Sequence, residues 1–72
     1  MDISKKMKLL AEILDVDSDE ITEETELRSL DEWDSLAILS FIVMMGEQFK
    51  KEVTGEQVKQ LVTVADVLSM ME

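Results

Sequence analysis

DSLAILSFIVMMGEQF, residues 34–49, passes from an acidic, hydroxyl-bearing pair into a long apolar segment. From Leu36 to Met45 the apolar run is broken only by Ser40. It is about half the ~20 residues that a bilayer-spanning helix needs, so it fits a helix packed into a core. Asp and Ser are favoured at helix starts, which places the beginning at Asp34 or Ser35 and the end near Phe49. Lys50 and Lys51 follow, where positive charge suits the negative end of the helix dipole. Apolar side chains occur nearly all round this helix, whereas a helix packed from one side shows a single stripe. Some of them must therefore face solvent; Met44 and Met45 belong either to a generous core face with scattered surface hydrophobes, or to a docking patch or plastic Met-rich lining.

Upstream, Ile3, Met7, Leu10 and Leu14 recur at helical spacing, widened by Leu9 and Ile13, and predict a first amphipathic helix from about Ser4 to Leu14. Asp2 or Ser4 can cap it. From Asp15 to Asp34 the period disappears and Val16, Ile21, Leu27, Leu30 and Trp33 punctuate a polar run, the pattern of a long loop pinned to the core at intervals. A loop of that length in so small a domain must cross the bundle or carry function. Downstream, Thr54 with Gln57 has the spacing of a capping box and opens a short third helix. Thr63 with Asp66 repeats the device before Val64, Val67, Leu68 and Met71. With no sustained alternation, no Asn-Gly or Asp-Gly turn and no proline, no strand competes. Residues 1–72 read as a single all-α domain: a four-helix bundle with a long loop between helices one and two and a short third helix.

Seventy-two residues leave little room for a deep enclosed active site. The chain has no His, Cys or Tyr, so it lacks the usual general base, a thiol nucleophile and the nitrogen or sulfur ligands of a zinc centre. We expect no enzyme, no catalytic residue and no metal ligand set. A net charge of −10 disfavours nucleic acid and anionic membranes and favours basic partners and a monomer. Residues 12–34 hold eleven of the seventeen carboxylates against one cation, Arg28. The Leu9-Leu10-Ala11 run after Lys5, Lys6 and Lys8 is too short for a signal-peptide core, which leaves a soluble, cytoplasmic protein as the expectation.

Asp34-Ser35-Leu36 marks the point where the acidic loop turns into the apolar helix, and puts the Ser35 hydroxyl at an exposed helix N-terminus. Unpaired backbone N–H groups and the positive end of the dipole favour a phosphate esterified there. Simple capping by Asp or Ser accounts for the same triplet. The wider pattern separates the two: Ile21, Thr22 and Thr25 in the loop, Glu47 and Phe49 closing the second helix, Val53 after a spacer, and Thr63-Val64-Ala65-Asp66 opening the last helix. In order and spacing the whole chain resembles the acyl carrier protein family. That resemblance implies a covalent 4'-phosphopantetheine arm, moved from coenzyme A to Ser35 by a phosphopantetheinyl transferase. It also implies acyl-loading and acyl-processing enzymes as partners, acting on a thioester at the arm's end in fatty-acid, polyketide or related biosynthesis.

Many fatty-acid-type members carry several carboxylates on the exposed side of the second helix. Here Ala37, Ser40 and Gly46 stand at positions that are often acidic there. The expected partner-binding set is accordingly Asp34, Leu36, Ala37, Ser40, Met44 and Glu47, read by basic or apolar docking surfaces. Trp33 is expected to anchor the loop on the bundle. Two other readings fit parts of the chain. Asp15, Asp17, Asp19, Glu23 and Glu26 fall at positions 1, 3, 5, 9 and 12 of an EF-hand calcium loop, although Glu20 replaces the glycine needed at position 6. A small helical adaptor explains the bundle and the charge, with Asp34-Ser35 as a cap.

Overall fold

The computed structural model describes residues 2–72 and places in them four α-helices: α1 (Ile3–Leu14), α2 (Ser35–Gln48), α3 (Gly55–Lys59) and α4 (Val64–Met70). α2 packs on α1 and α3, and α4 packs on α1. The expected bundle, its long first connection and its short third helix are all present. The radius of gyration, 10.9 Å, matches the ~11 Å of a compact chain of this length. The long loop is therefore laid against the helices. Its anchors are Ile21 and Leu27, both buried, with Val16, Leu30 and Trp33 half-buried around the same core.

Local chemistry sets the boundaries. Asp2 caps α1, its Oδ1 accepting from the Lys5 N–H at 2.9 Å. At the other end Asp15 turns left-handed (φ 58°), and the N–H groups of Asp15 and Val16 return to the carbonyls of Glu12 and Ala11 at 3.2 and 3.0 Å. This is a Schellman closure. Leu10, Ala11 and Leu14 form the buried face of α1, whereas Ile3, expected at the head of that stripe, is about half exposed. Thr54 with Gln57 and Thr63 with Asp66 form two complete capping boxes, as their spacing predicts.

Two short 3₁₀ turns, Ser18–Glu20 and Leu27–Ser29, interrupt the long loop. The loop is also tied to the start of α4: Leu27 N–H donates to the Val62 carbonyl, Val64 N–H to Thr25 and Ala65 N–H to Glu23, each at 2.9 Å. The last two satisfy donors that a helix N-terminus otherwise leaves unpaired. Hydrophobic periodicity does not encode such a strap.

At the end of α2 one open reading is decided and one expectation is corrected. Met45 is fully buried, because it continues the inward row of Ala37 and Phe41 at four-residue intervals. Just past α2 the Lys50 backbone is left-handed (φ 56°), and the Lys51 N–H behind it reaches the Met45 carbonyl at 3.2 Å. The Lys51 ammonium lies instead at the end of α4, 3.4 Å from the Met70 carbonyl. A lysine in the left-handed region is strained, so Lys50→Gly is expected to stabilise the fold by ~0.5–1 kcal/mol. Urea unfolding checks this: a lower midpoint in the variant would contradict it.

Asp66 also links the strap to pH. Its carboxylate accepts from the N–H groups of Val62 and Thr63 at 3.0 and 3.1 Å. Chiefly through the Val62 N–H and then the Thr63 N–H, these bonds hold Asp66 below the ordinary aspartate range. A depressed carboxylate stabilises the fold fully above its unfolded pKa of ~4 and loses that contribution as pH falls through the folded value. The difference in Tm between wild type and Asp66→Ala should therefore be widest near neutral pH and narrow on acidification below about pH 4. A difference that stays constant between neutral and strongly acidic pH would contradict this assignment.

Candidate functional site

The approach to Ser35 is built by the last residues of the loop. Leu30 N–H closes on the Leu27 carbonyl at 3.0 Å and Trp33 N–H on the Leu30 carbonyl at 3.1 Å, so the chain arrives at α2 through two tight turns. Trp33 is half-buried and meets Phe41 edge to face, with ring centroids 6.0 Å apart and an interplanar angle of 63°. Phe41 is in turn wholly buried in α2. The expected anchoring of Trp33 is thus seen, and it ties the residue two places before Ser35 to the centre of the core.

The cap of α2 is Asp34, with extended backbone (φ −113°, ψ −174°). Its Oδ1 accepts from the Ala37 N–H at 2.9 Å, and its carbonyl accepts from the Ile38 N–H at 2.9 Å. Ser35 is the first helical residue, exposed, and capping is not its task. Ser29 and Ser69 differ: their hydroxyls each donate to a backbone carbonyl at 2.7 Å, of Glu26 and Asp66. The Ser35 hydroxyl has no such partner among the described residues. The N–H groups of Ser35 and Leu36 precede the first intrahelical bond, so two donors and the positive end of a 14-residue helix surround that hydroxyl. An exposed nucleophilic oxygen with free N–H donors beside it fits a phosphodiester.

Around this point the expected docking residues separate by face. Asp34, Leu36, Ser40 and Glu47 are exposed and Met44 is half-buried. Ala37 is not available: it is only 5 % exposed and packs in the core with Phe41 and Met45. At about 100° per residue, a helix that turns Ala37, Phe41 and Met45 inward must turn Leu36, Leu39 and Val43 outward. These three are 72, 58 and 52 % exposed. Leu39 and Val43 were absent from the expected set, although the same angular bookkeeping applied to the sequence finds them.

The acidic loop does not assemble the calcium site that its spacing suggested. Asp15 closes α1, Asp17 precedes a 3₁₀ turn, and Glu26, at the last ligand position, pairs with Arg28 at 2.9 Å. Among the described residues no three acidic side chains converge on a common point. None of the helices described is long and apolar enough to cross a membrane.

Known proteins resemble this chain over nearly its whole length. The family model described as a phosphopantetheine attachment site matches residues 7–71. The chain is 31 % identical over 72 residues to an acyl carrier protein of Lactobacillus acidophilus, covering 99 % of this chain and 90 % of that one. It is 34 % identical over 64 residues to an acyl carrier protein of Helicobacter pylori, covering 89 % and 82 %. Fold, helix-start serine and sequence likeness agree: the chain belongs to the acyl carrier protein family, whose cofactor is a 4'-phosphopantetheine arm.

Proposed function

We propose that Ser35 is the residue that bears the arm. The observation that carries this reading is an exposed hydroxyl at the first position of α2 whose capping duty has passed to Asp34. In the transfer, Ser35 Oγ forms a bond to the phosphorus of coenzyme A that carries the pantetheine, and the pyrophosphate bond breaks. 3',5'-ADP leaves, and the hydroxyl proton goes to a base of the phosphopantetheinyl transferase. Once attached, the arm supplies a terminal thiol that holds an acyl group as a thioester. The chain's own residues do no bond-making on the cargo. They fix the attachment point through Trp33 and Phe41, and present Asp34, Leu36, Ser40, Met44 and Glu47 to visiting enzymes. Tethering converts each reaction into an encounter at high effective concentration, so docking can be weak and brief.

We assign the carrier to a specialised acyl pathway of fatty-acid, polyketide or related type. What supports this is the outer face of α2, which shows leucine and valine beside the attachment point and a single carboxylate, Glu47, further along. Co-expression with a broad-specificity phosphopantetheinyl transferase tests the function: the intact mass should rise by one arm. No rise under conditions that modify a control carrier would overturn it.

A further inference from the structure

We propose that the open side of Trp33 is a platform for the root of the phosphopantetheine arm, which rests its geminal methyl groups on the indole and an oxygen on the indole N–H. This rests on the assignment of Ser35 as the arm-bearing residue. Trp33 is more than the loop anchor described above. Its contact with Phe41 uses one part of the ring system, and half-burial leaves the rest open. Among the described residues no buried side-chain nitrogen or oxygen lacks a partner, and the indole N–H donates to none of them, so it opens to solvent. An anchor alone needs neither that polar edge nor the full area of an indole. Leu30, three residues earlier, seats the same loop on the same core with an aliphatic side chain.

Backbone geometry brings the platform within reach. Asp34 is the one residue between Trp33 and Ser35 and its backbone is extended (φ −113°, ψ −174°). Two extended steps separate the flanking Cα atoms by ~6.5–7 Å. A group tethered at Ser35 therefore meets the indole at an effective concentration on the order of millimolar or above, and a contact too weak to hold a free ligand becomes populated. Charge leaves few other resting places. Asp31, Glu32 and Asp34 are exposed around the attachment point and repel the arm's phosphodiester. Arg28, the one cation between residues 12 and 34, is paired with Glu26. The indole offers an apolar face and a donor without adding negative charge. Held at its root, the arm sweeps a smaller volume until a partner lifts it away.

The experiment compares the full chain before and after arm addition from coenzyme A, by magnetic resonance and by fluorescence. Trp33, the chain's one tryptophan, gives a single indole N–H resonance. On arm addition that resonance should shift. The arm's methyl protons should move upfield of their position in free coenzyme A and show Overhauser cross-peaks to the indole ring. A platform that partners can still empty is filled about half the time, so acrylamide quenching of Trp33 should fall about twofold. Trp33→Leu keeps an apolar anchor, and in its arm-bearing form the methyl resonances should return to the free position. If that variant does not fold, the cross-peaks of the wild type decide alone. Methyl resonances at the free position, with equal quenching before and after arm addition, would overturn the proposal. So would cross-peaks from the methyls to Leu36 and none to Trp33. Ser35→Ala mixed with coenzyme A should show neither change; a shift of its indole resonance would make free coenzyme A the cause and also overturn the proposal. Failure of the wild type to gain the arm's mass would instead remove the underlying assignment of Ser35, and this proposal with it.

Discussion

Ser35→Ala is expected to abolish arm addition outright while leaving stability within about 0.5 kcal/mol of wild type, the ordinary range for an exposed substitution. The first half follows from chemistry, since alanine has no oxygen to accept the phosphoryl group. The second follows from geometry. Were Ser35 the cap of α2, its loss would cost about 1 kcal/mol, but the Ala37 N–H is already satisfied by Asp34 at 2.9 Å. Asp34→Ala should show the converse, a loss of ~1 kcal/mol with the hydroxyl still present. Intact mass and urea unfolding on the same two variants separate the roles. Arm addition to Ser35→Ala would point to another hydroxyl, and Ser40, exposed one turn and a half along α2, would be the first to examine.

The two residues had looked interchangeable in the sequence, because Asp and Ser are both good caps. Which of them does the capping depends on where the first helical backbone dihedral falls, and that is set by the turns from Leu27 to Trp33. By contrast, the helices themselves were legible, since Leu10, Leu14 and their neighbours repeat at helical spacing and the Thr54 and Thr63 boxes are local devices. Sequence and structure part where a residue's partner is remote. Ala37 is expected at the surface and Met45 stays open between core and docking face, because α2 is apolar on every side and composition alone does not choose its inward face. Phe41 chooses it, by packing against Trp33 and the bundle. Lys51 was assigned to the end of α2 from its neighbours in sequence, yet its ammonium lies against Met70, nineteen residues away. The loop's bonds to α4 are invisible in the sequence for the same reason: backbone pairing between Leu27 and Val62 leaves no trace in side-chain pattern. The calcium reading failed by the same logic in reverse, for its spacing was correct but Glu26 pairs with Arg28 and the left-handed Asp15 belongs to a helix end.

Phe41→Ala should come close to unfolding the protein. Phe41 is 0 % exposed and is the largest of the fully buried side chains. Truncating such a ring typically costs 3–5 kcal/mol, because the surrounding side chains collapse only partly into the space. At ~0.05–0.15 kcal/mol per residue, a chain of this length has about 4–11 kcal/mol of stability in all. The loss is therefore comparable with the whole. It should appear as a fall in Tm of at least about 12 °C, taking 4 °C per kcal/mol as the lower bound for a domain of this size. The edge contact with Trp33 makes the effect local as well as global: without the Phe41 ring, the residue two places before Ser35 loses its seat. Trp33, the chain's one tryptophan, should report both events through its fluorescence. Leu39→Ala is the control, because it truncates a bulky aliphatic side chain two residues away on the outer face and should change stability by no more than ~0.5 kcal/mol. Similar losses in the two variants would mean that α2 is rotated from the orientation described, and the assignment of its inward and outward faces would fall together.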